Sequence, residues 1–359
     1  MTLKIRVITY IRVSILFLLI TYSSSIAFTQ NIEFGLNGHP FTQTVFKDVN
    51  IKTQLDLVKE IGATWYRVDV KGNALDPQWI SELKELVVEA SKRGLKVLPI
   101  IFPPLAINFE DNLVDIYNIS FTYSKDLVSK FKNDIHVWEL NNELDNYALL
   151  RKGELTYLGH LLKDGVPDGN NSKDYDIMRT KKVMALLKGL SDGVYSADPS
   201  AKRIINAGWI HWGFFEHIFE NNIGFEIIGW HWYSDMGDIT NVKGKINLLE
   251  KLKQYNRPIW FTETNRRGGS YGNNGDNEQV KYLERSLFSY IAYSKKYPIE
   301  KVFVYELLDD PPLGYDNPEA YYGLLEVQRN KLGKWEIKSK KPSFDAIKTI
   351  FSIKLINYN

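Results

Sequence analysis

From residue 31 onward, short runs of consecutive apolar residues alternate with longer stretches in which apolar residues recur every three to four positions. The short runs are typical of strands buried on both faces, and the longer stretches of amphipathic helices. The predicted strands are 33–36, 64–70, 96–102, 135–140, 203–207, 226–232, 258–262 and 301–307. The predicted helices are 52–61, 78–93, 122–132, 175–197, 212–221, 242–254, 277–296 and 343–353.

Eight strands that alternate with helices indicate βα units and a parallel sheet, and eight parallel strands close into a barrel. The pattern therefore predicts an α/β fold, a single (β/α)8 TIM barrel formed by residues 31–359. Three long loops, 103–120, 144–174 and 308–342, each follow a predicted strand. We expect them on the C-terminal face of the barrel, where enzymes of this architecture keep their active sites.

The first thirty residues differ in pattern from the rest of the chain. Lys4, Arg6 and Arg12 precede an apolar run over 13–20, and small and polar residues follow up to residue 30. This arrangement predicts a secretory signal peptide at 1–30, because the apolar run is short for a membrane span. An uncleaved N-terminal anchor is the alternative. Either reading predicts a secreted or periplasmic protein, with no membrane contact once the leader is processed.

Composition limits the classes of partner and of site. There is no cysteine, which excludes disulfides and thiolate zinc ligands, and neither His-Glu-x-x-His nor a Cys/His cluster occurs. We therefore expect no metal and no cofactor, although the adjacent acids Asp309 and Asp310 could bind calcium as an alternative to forming a solvated loop. The net charge of +2 gives no strong overall field, so nucleic acid is not an expected partner.

Two glutamates follow predicted strands in positions that suggest a shared site. Glu143 comes after the fourth strand and Glu263 after the seventh, so both side chains should reach one cleft. Paired carboxylates cleave glycosidic bonds, because one protonates the leaving oxygen while the other attacks or activates water. The alternative is that each is a surface acid at the start of a loop. Aromatic residues make up 13% of the chain, and their rings can stack on sugars.

The segment 138–143, Trp-Glu-Leu-Asn-Asn-Glu, together with 304–310 and 322–325, resembles the clan A glycoside hydrolases and is most similar to family 39 and its polysaccharide-cleaving bacterial relatives. The resemblance implies that Glu143 is the general acid/base and Glu263 the nucleophile. It further implies that Asn142 binds the sugar 2-hydroxyl and that Arg67 forms a salt bridge with Glu263.

The same resemblance implies that His231 and Tyr233 line the site at the end of the sixth strand. Their spacing of two residues sends both side chains to one face of that strand. His39, Trp232, Tyr305 and Asn265 complete the predicted substrate-binding set. Tyr305 stands where much of the clan has a sugar-stacking Trp.

Glu139 shares strand parity with Glu143, so it is a second candidate acid or a buried partner of Arg67. The predicted function is retaining hydrolysis of a polysaccharide or oligosaccharide by double displacement, with the two carboxyl groups about 5–5.5 Å apart. A barrel that binds a sugar polymer without cleaving it is the alternative, and we expect a monomer in either case.

Overall fold

The computed structural model describes residues 32–71, 76–104, 112–156, 159–162 and 165–353. Eight strands close into a barrel in sequence order, and each strand is parallel to both of its neighbours. They are β1 Glu33–Gly38, β2 Trp65–Lys71, β3 Lys96–Phe102, β4 Val137–Leu140, β5 Lys202–Gly208, β6 Ile227–Tyr233, β7 Ile259–Asn265 and β8 Ile299–Val304. The predicted (β/α)8 barrel is confirmed, whereas the predicted signal peptide lies outside the described residues.

Helices connect the strands. In chain order they are α1 Thr44–Asp48, α2 Ile51–Glu60, α3 Pro77–Lys92, α4 Leu113–Phe131, α5 Leu144–Ala148, α6 Ile177–Ala197, α7 Trp212–Glu220, α8 Leu248–Lys253, α9 Gly275–Tyr293 and α10 Pro342–Phe351. Among the described residues, no helix has both the length and the apolar character needed to cross a membrane.

The largest differences from the predicted elements lie in the loops. Helix α4 begins at Leu113 instead of residue 122, so the predicted long loop 103–120 is wrong over its second half. The loop after β8 contains an antiparallel hairpin, β9 Leu325–Arg329 and β10 Trp335–Lys340, which the apolar pattern did not indicate. Because the hairpin belongs to the loop that follows β8, it begins at the C-terminal face of the barrel.

Helix α3 shows how the sequence sets a helix boundary. Asp76 caps its start by accepting hydrogen bonds from the backbone N–H groups of Gln78 and Trp79, and Pro77 occupies the first helical position. The buried residues Leu83, Leu86 and Ala90 lie on one face of the helix at spacings of three and four. The helix ends before Gly94, which adopts a φ of 72° that costs a glycine little.

The interior of the barrel changes from apolar to polar along the strands. The layer nearer the N-terminal end of the barrel is a hydrophobic cluster, formed by Trp65, Leu98, Ile204, Ile227, Trp260 and Phe303. Two residues further along β2, β4 and β5 the inward positions are Arg67, Glu139 and Asn206, all of them buried. The apolar layer closes the barrel from below, and the buried polar layer above it forms the floor of a site at the C-terminal end.

Candidate active site

Arg67 lies at the centre of the polar layer, with a side chain only 1% exposed. Its Nε and Nη2 donate to the two carboxylate oxygens of Glu139 at 2.6 and 3.0 Å. Its Nη1 donates to Glu263 Oε1 at 2.8 Å, and Nη2 also donates to Asn142 Oδ1 at 2.9 Å. Burial alone would lower the pKa of Arg67, but the charges of Glu139 and Glu263 outweigh it and raise that pKa. The guanidinium therefore stays charged and joins residues from β2, β4 and β7.

Glu263 faces the cleft because of an irregularity in β7. Trp230 pairs with Phe261 and His231 pairs with Glu263, so Thr262 is an extra residue on β7. Such a bulge re-aims the side chains that follow it. Trp260 points into the barrel, and strict alternation from it would have turned Glu263 toward the helices.

Tyr233, at the end of β6, completes the setting of Glu263. Its hydroxyl donates to Glu263 Oε2 at 2.7 Å, while Arg67 donates to Oε1. Both oxygens of this carboxylate therefore have a strong donor, and the side chain is only 9% exposed. Arg67 and Tyr233 therefore hold the carboxyl group of Glu263 in one orientation.

Glu143 lies in a turn that contains two residues with left-handed backbone conformation. Strand β4 ends at Leu140, and Asn141 and Glu143 follow with φ of 68° and 48°. Asn206 holds this turn: its Oδ1 accepts from the Glu143 backbone N–H at 2.8 Å, and its Nδ2 donates to the Asn141 carbonyl at 2.8 Å. The same Nδ2 donates to Glu139 at 2.7 Å. Residues other than glycine seldom adopt this conformation, and the hydrogen bonds with Asn206 stabilise it here.

His231 connects the two glutamates. Its Nδ1 lies 2.8 Å from Glu143 Oε1 and 3.5 Å from Glu263 Oε2, and the ring is fully buried. Burial disfavours a charged imidazole, but the negative charges of Glu263 and Glu143 prevail and raise the pKa of His231. Burial likewise opposes ionisation of Glu143, yet the hydrogen bond from His231 prevails and lowers the pKa of Glu143. These opposite shifts of the two pKa values favour a proton on the imidazole over a proton on Glu143.

The two carboxylates are close together. One oxygen of Glu143, one oxygen of Glu263 and one nitrogen of His231 all lie within 4.8 Å of one another. These three groups could also act as ligands for a cation. The Arg67 guanidinium, at 2.8 Å from Glu263, already supplies the positive charge that a metal ion would bring. The arrangement suits acid, base and nucleophilic chemistry.

A second buried charged cluster forms the rim of the site between β1, β2 and β8. His39 Nδ1 lies 2.7 Å from Asp69 Oδ2, and its Nε2 lies 3.0 Å from Glu306 Oε2. Burial would lower the pKa of His39, but these two carboxylates raise it to about 10. Burial raises the pKa of Glu306 to about 7 despite the neighbouring imidazole. The Tyr305 ring packs edge-on against His39 at 5.6 Å and against Tyr233 at 6.4 Å, so it separates the two clusters.

The structure brings most of the predicted site residues to one end of the barrel: Glu143, Glu263, Asn142, Arg67, His231, Tyr233, His39 and Tyr305. Trp232 does not join them. Its ring is 2% exposed and stacks on Trp209 at 5.9 Å, and its indole N–H donates to the Gly237 carbonyl at 3.0 Å. Being between two inward residues of β6, Trp232 points to the outside of the barrel.

Asn265 also differs from its predicted place at the sugar-binding surface. It is fully buried, and its amide donates to the carbonyls of Tyr305 and, at 2.9 Å, Tyr322. Its oxygen accepts from the Arg266 backbone N–H at 2.7 Å. These contacts fix the loop after β8 against β7.

Three residues of the site were not predicted: Asn206, Asp69 and Glu306. The signal for Asn206 is present in the sequence, since it interrupts the apolar run 204–207 one layer above the apolar core. Asn206 is 3% exposed and Glu306 1% exposed. Polar residues inside the predicted strands 203–207 and 301–307 are the signal that would have identified both.

Comparison with known proteins shows the fold. No protein-family model matches the sequence, and no curated protein is similar to it at a significant level. The structure is similar to that of the virulence factor SghA from Agrobacterium tumefaciens, with a TM-score of 0.63 and 14% identity over 91% of this chain and 98% of that one. A family 1 β-glucosidase from Thermotoga maritima gives the same TM-score, 0.63, at 14% identity, again over 91% and 98% of the two chains. At these identities the similarity establishes that the chain has the barrel fold of these proteins.

Proposed function

We propose that the protein is a retaining glycoside hydrolase that cleaves an O-glycosidic bond of a polysaccharide or oligosaccharide by double displacement. The observation that carries the proposal is the pair Glu143 and Glu263, with oxygens within 4.8 Å and different hydrogen-bonding environments. The β-glucosidase with the same barrel fold supports it. On the segment 138–143 we further propose membership of clan A, near family 39.

In the first step, a carboxylate oxygen of Glu263 attacks the anomeric carbon. The bond from that carbon to the leaving oxygen breaks, and this oxygen takes its electron pair and the proton of Glu143. Arg67 and Tyr233 hold the attacking group in place. Asn142 accepts from Arg67 through its oxygen, which directs its NH₂ group to donate to a sugar hydroxyl.

In the second step, Glu143 removes a proton from water, and the water oxygen attacks the anomeric carbon and releases Glu263. His231 makes this alternation possible. In the free protein the raised pKa of His231 and the lowered pKa of Glu143 favour a proton on the imidazole, 2.8 Å from Glu143. A substrate that excludes water disfavours separated charges in the site, so the proton returns to Glu143 before the leaving group departs.

The spacing of the carboxylates favours retention of configuration. Inverting enzymes need about 6.5–9.5 Å between the two groups to hold a water molecule, whereas retaining enzymes need about 5–5.5 Å for direct attack. The approach of one oxygen of Glu143 to within 4.8 Å of one oxygen of Glu263 supports direct attack. Proton NMR of the first-formed product measures the outcome, and an inverted anomer would contradict this part of the proposal.

Two variants test the roles of the glutamates. Glu263→Ala removes the nucleophile and should abolish hydrolysis of every glycoside that the natural protein cleaves. Glu143→Ala should retain activity on aryl glycosides whose leaving group needs no proton. A mechanism-based fluoro-sugar should label Glu263, detected by mass spectrometry of peptides. Undiminished hydrolysis by the Glu263→Ala protein would refute the assignment.

A panel of plant, algal and bacterial-matrix polysaccharides, with aryl glycosides beside them, defines the substrate. If the natural protein binds a polymer and cleaves neither polymer nor aryl glycosides, the non-catalytic binding barrel is the better description. We also propose export under the direction of residues 1–30. N-terminal sequencing of the protein recovered from the producing cells checks this, and a retained Met1 in exported protein would indicate an uncleaved anchor.

A further inference from the structure

A cavity of about 310 Å³ lies on the outside of the barrel, beside the loop that follows β6 and along helix α9. Trp232 forms part of its wall, together with Tyr282 and Tyr293 of α9. Since His231 and Tyr233 face the catalytic cleft, Trp232 faces the opposite side of β6. The cavity is therefore distinct from the catalytic site.

Polar groups edge the aromatic wall of this cavity. Arg285 and Ser289 reach it from α9. Arg285 is exposed and lies 5.9 Å from the Tyr282 ring, and it forms no ion pair with any carboxylate in the described part of the chain. The Ser289 hydroxyl donates to the Arg285 carbonyl at 2.8 Å, so its oxygen remains able to accept a hydrogen bond. The Arg285 guanidinium and the Ser289 oxygen can therefore hydrogen-bond to a ligand that lies against the aromatic wall.

This combination matches the chemistry of a sugar, which presents hydroxyl groups at its edge and C–H groups on its faces. Ligand sites are concave, are lined mainly by apolar and aromatic side chains, and carry a few polar groups that set orientation. The volume of about 310 Å³ is at the small end of the roughly 300–1,000 Å³ range of such sites. It suits one sugar unit instead of a longer oligosaccharide.

We propose that this cavity is a second carbohydrate-binding site, which takes one pyranose unit of the polymer that the catalytic cleft degrades. The inference rests on the proposed function. A second contact raises retention on a polymer through effective concentration, without any change at the cleft. It adds nothing to the hydrolysis of a glycoside too small to be held in two places.

Two variants alter the cavity in opposite ways. Arg285→Ala removes the charged donor, and Ser289→Phe fills the space. Lys281→Ala is the matched control, because this lysine lies on α9 outside the cavity with its side chain 69% exposed. Binding is measured in the Glu263→Ala background, so that the polymer is not degraded, by affinity electrophoresis in gels that contain each polysaccharide of the panel.

We expect Arg285→Ala to lower affinity for the polymer about tenfold, the effect of one lost hydrogen bond to a charged group. Ser289→Phe should lower it at least as much by excluding the sugar unit, and the control should leave it unchanged. When Glu263 is left in place, the same cavity variants should keep full activity on aryl glycosides. Unchanged polymer affinity in both variants, or no retention of the Glu263→Ala protein on any polysaccharide, would overturn the inference. Failure of the proposed function appears separately, as absence of aryl glycoside hydrolysis by the natural protein.

Discussion

Replacement of Arg67 by methionine tests the central claim that one buried guanidinium unites the site. Methionine keeps much of the volume and removes the charge and all four hydrogen bonds that Arg67 makes to Glu139, Glu263 and Asn142. Glu139 is fully buried and Glu263 nearly so. The substitution therefore leaves two carboxylates inside the barrel without their cation.

The magnitude follows from the burial of these partners. Removal of one member of a buried ion pair costs about 3–5 kcal/mol, because the other charge stays desolvated and uncompensated. Glu263 keeps its hydrogen bond from Tyr233, while Glu139 keeps only the one from Asn206. We expect a loss of about 4 kcal/mol in the free energy of unfolding, a large part of the roughly 5–15 kcal/mol of a typical domain.

Urea unfolding at neutral pH measures the loss. Arg93→Met is the control, because Arg93 pairs with Asp56 and Glu89 near the surface, where water compensates the carboxylates, and its loss should cost much less. Adding Glu139→Leu should restore part of the stability. A loss no larger than that of the control would refute the reasoning.

Two further predictions concern the Glu143 side of the site. The pKa of His231 is raised by the charges of Glu263 and Glu143, so the basic limb of the kcat/KM profile should lie above the ordinary pKa of histidine. In His231→Asn this limb should move to lower pH, and an unmoved limb would contradict the proton-holding role. Asn206→Ala removes the acceptor for the Glu143 backbone N–H. It should lower kcat about tenfold or more on substrates with poor leaving groups, with far less effect on substrates with good ones. Equal losses on both kinds of substrate would indicate a purely structural role.

Much of the fold follows from the sequence, because parallel strands buried on both faces must be continuously apolar. The run 97–101 is an example, and it forms the buried part of β3. Alternation of such runs with amphipathic stretches gave all eight barrel strands to within a few residues. The hairpin β9–β10 lies partly exposed, so its pattern of apolar residues carries less information.

The orientation of the Glu263 side chain could not be predicted from the alternation of residues along the strand. Strict alternation along β7 from the inward Trp260 directs Glu263 outward, and only the bulge at Thr262 reverses this. The bulge is a property of register against β6 and β8, which depends on contacts between distant segments. The outward direction of Trp232, in contrast, was available from the inward pair His231 and Tyr233 on either side of it.

The different surroundings of the two glutamates support their proposed roles more strongly than their positions in the sequence do. Glu263 accepts from Arg67 and Tyr233, two partners that keep their protons near neutral pH, because the pKa values of both are raised. Glu143 instead bonds to His231, whose proton can move, and its side chain is 37% exposed to the cleft. A nucleophile must stay ionised and fixed, whereas an acid/base must gain and lose a proton in each cycle. The hydrogen bonds therefore support the proposed roles, attack by Glu263 and proton transfer by Glu143, because exchanged roles would put the proton transfer on the carboxylate that Arg67 and Tyr233 both hold.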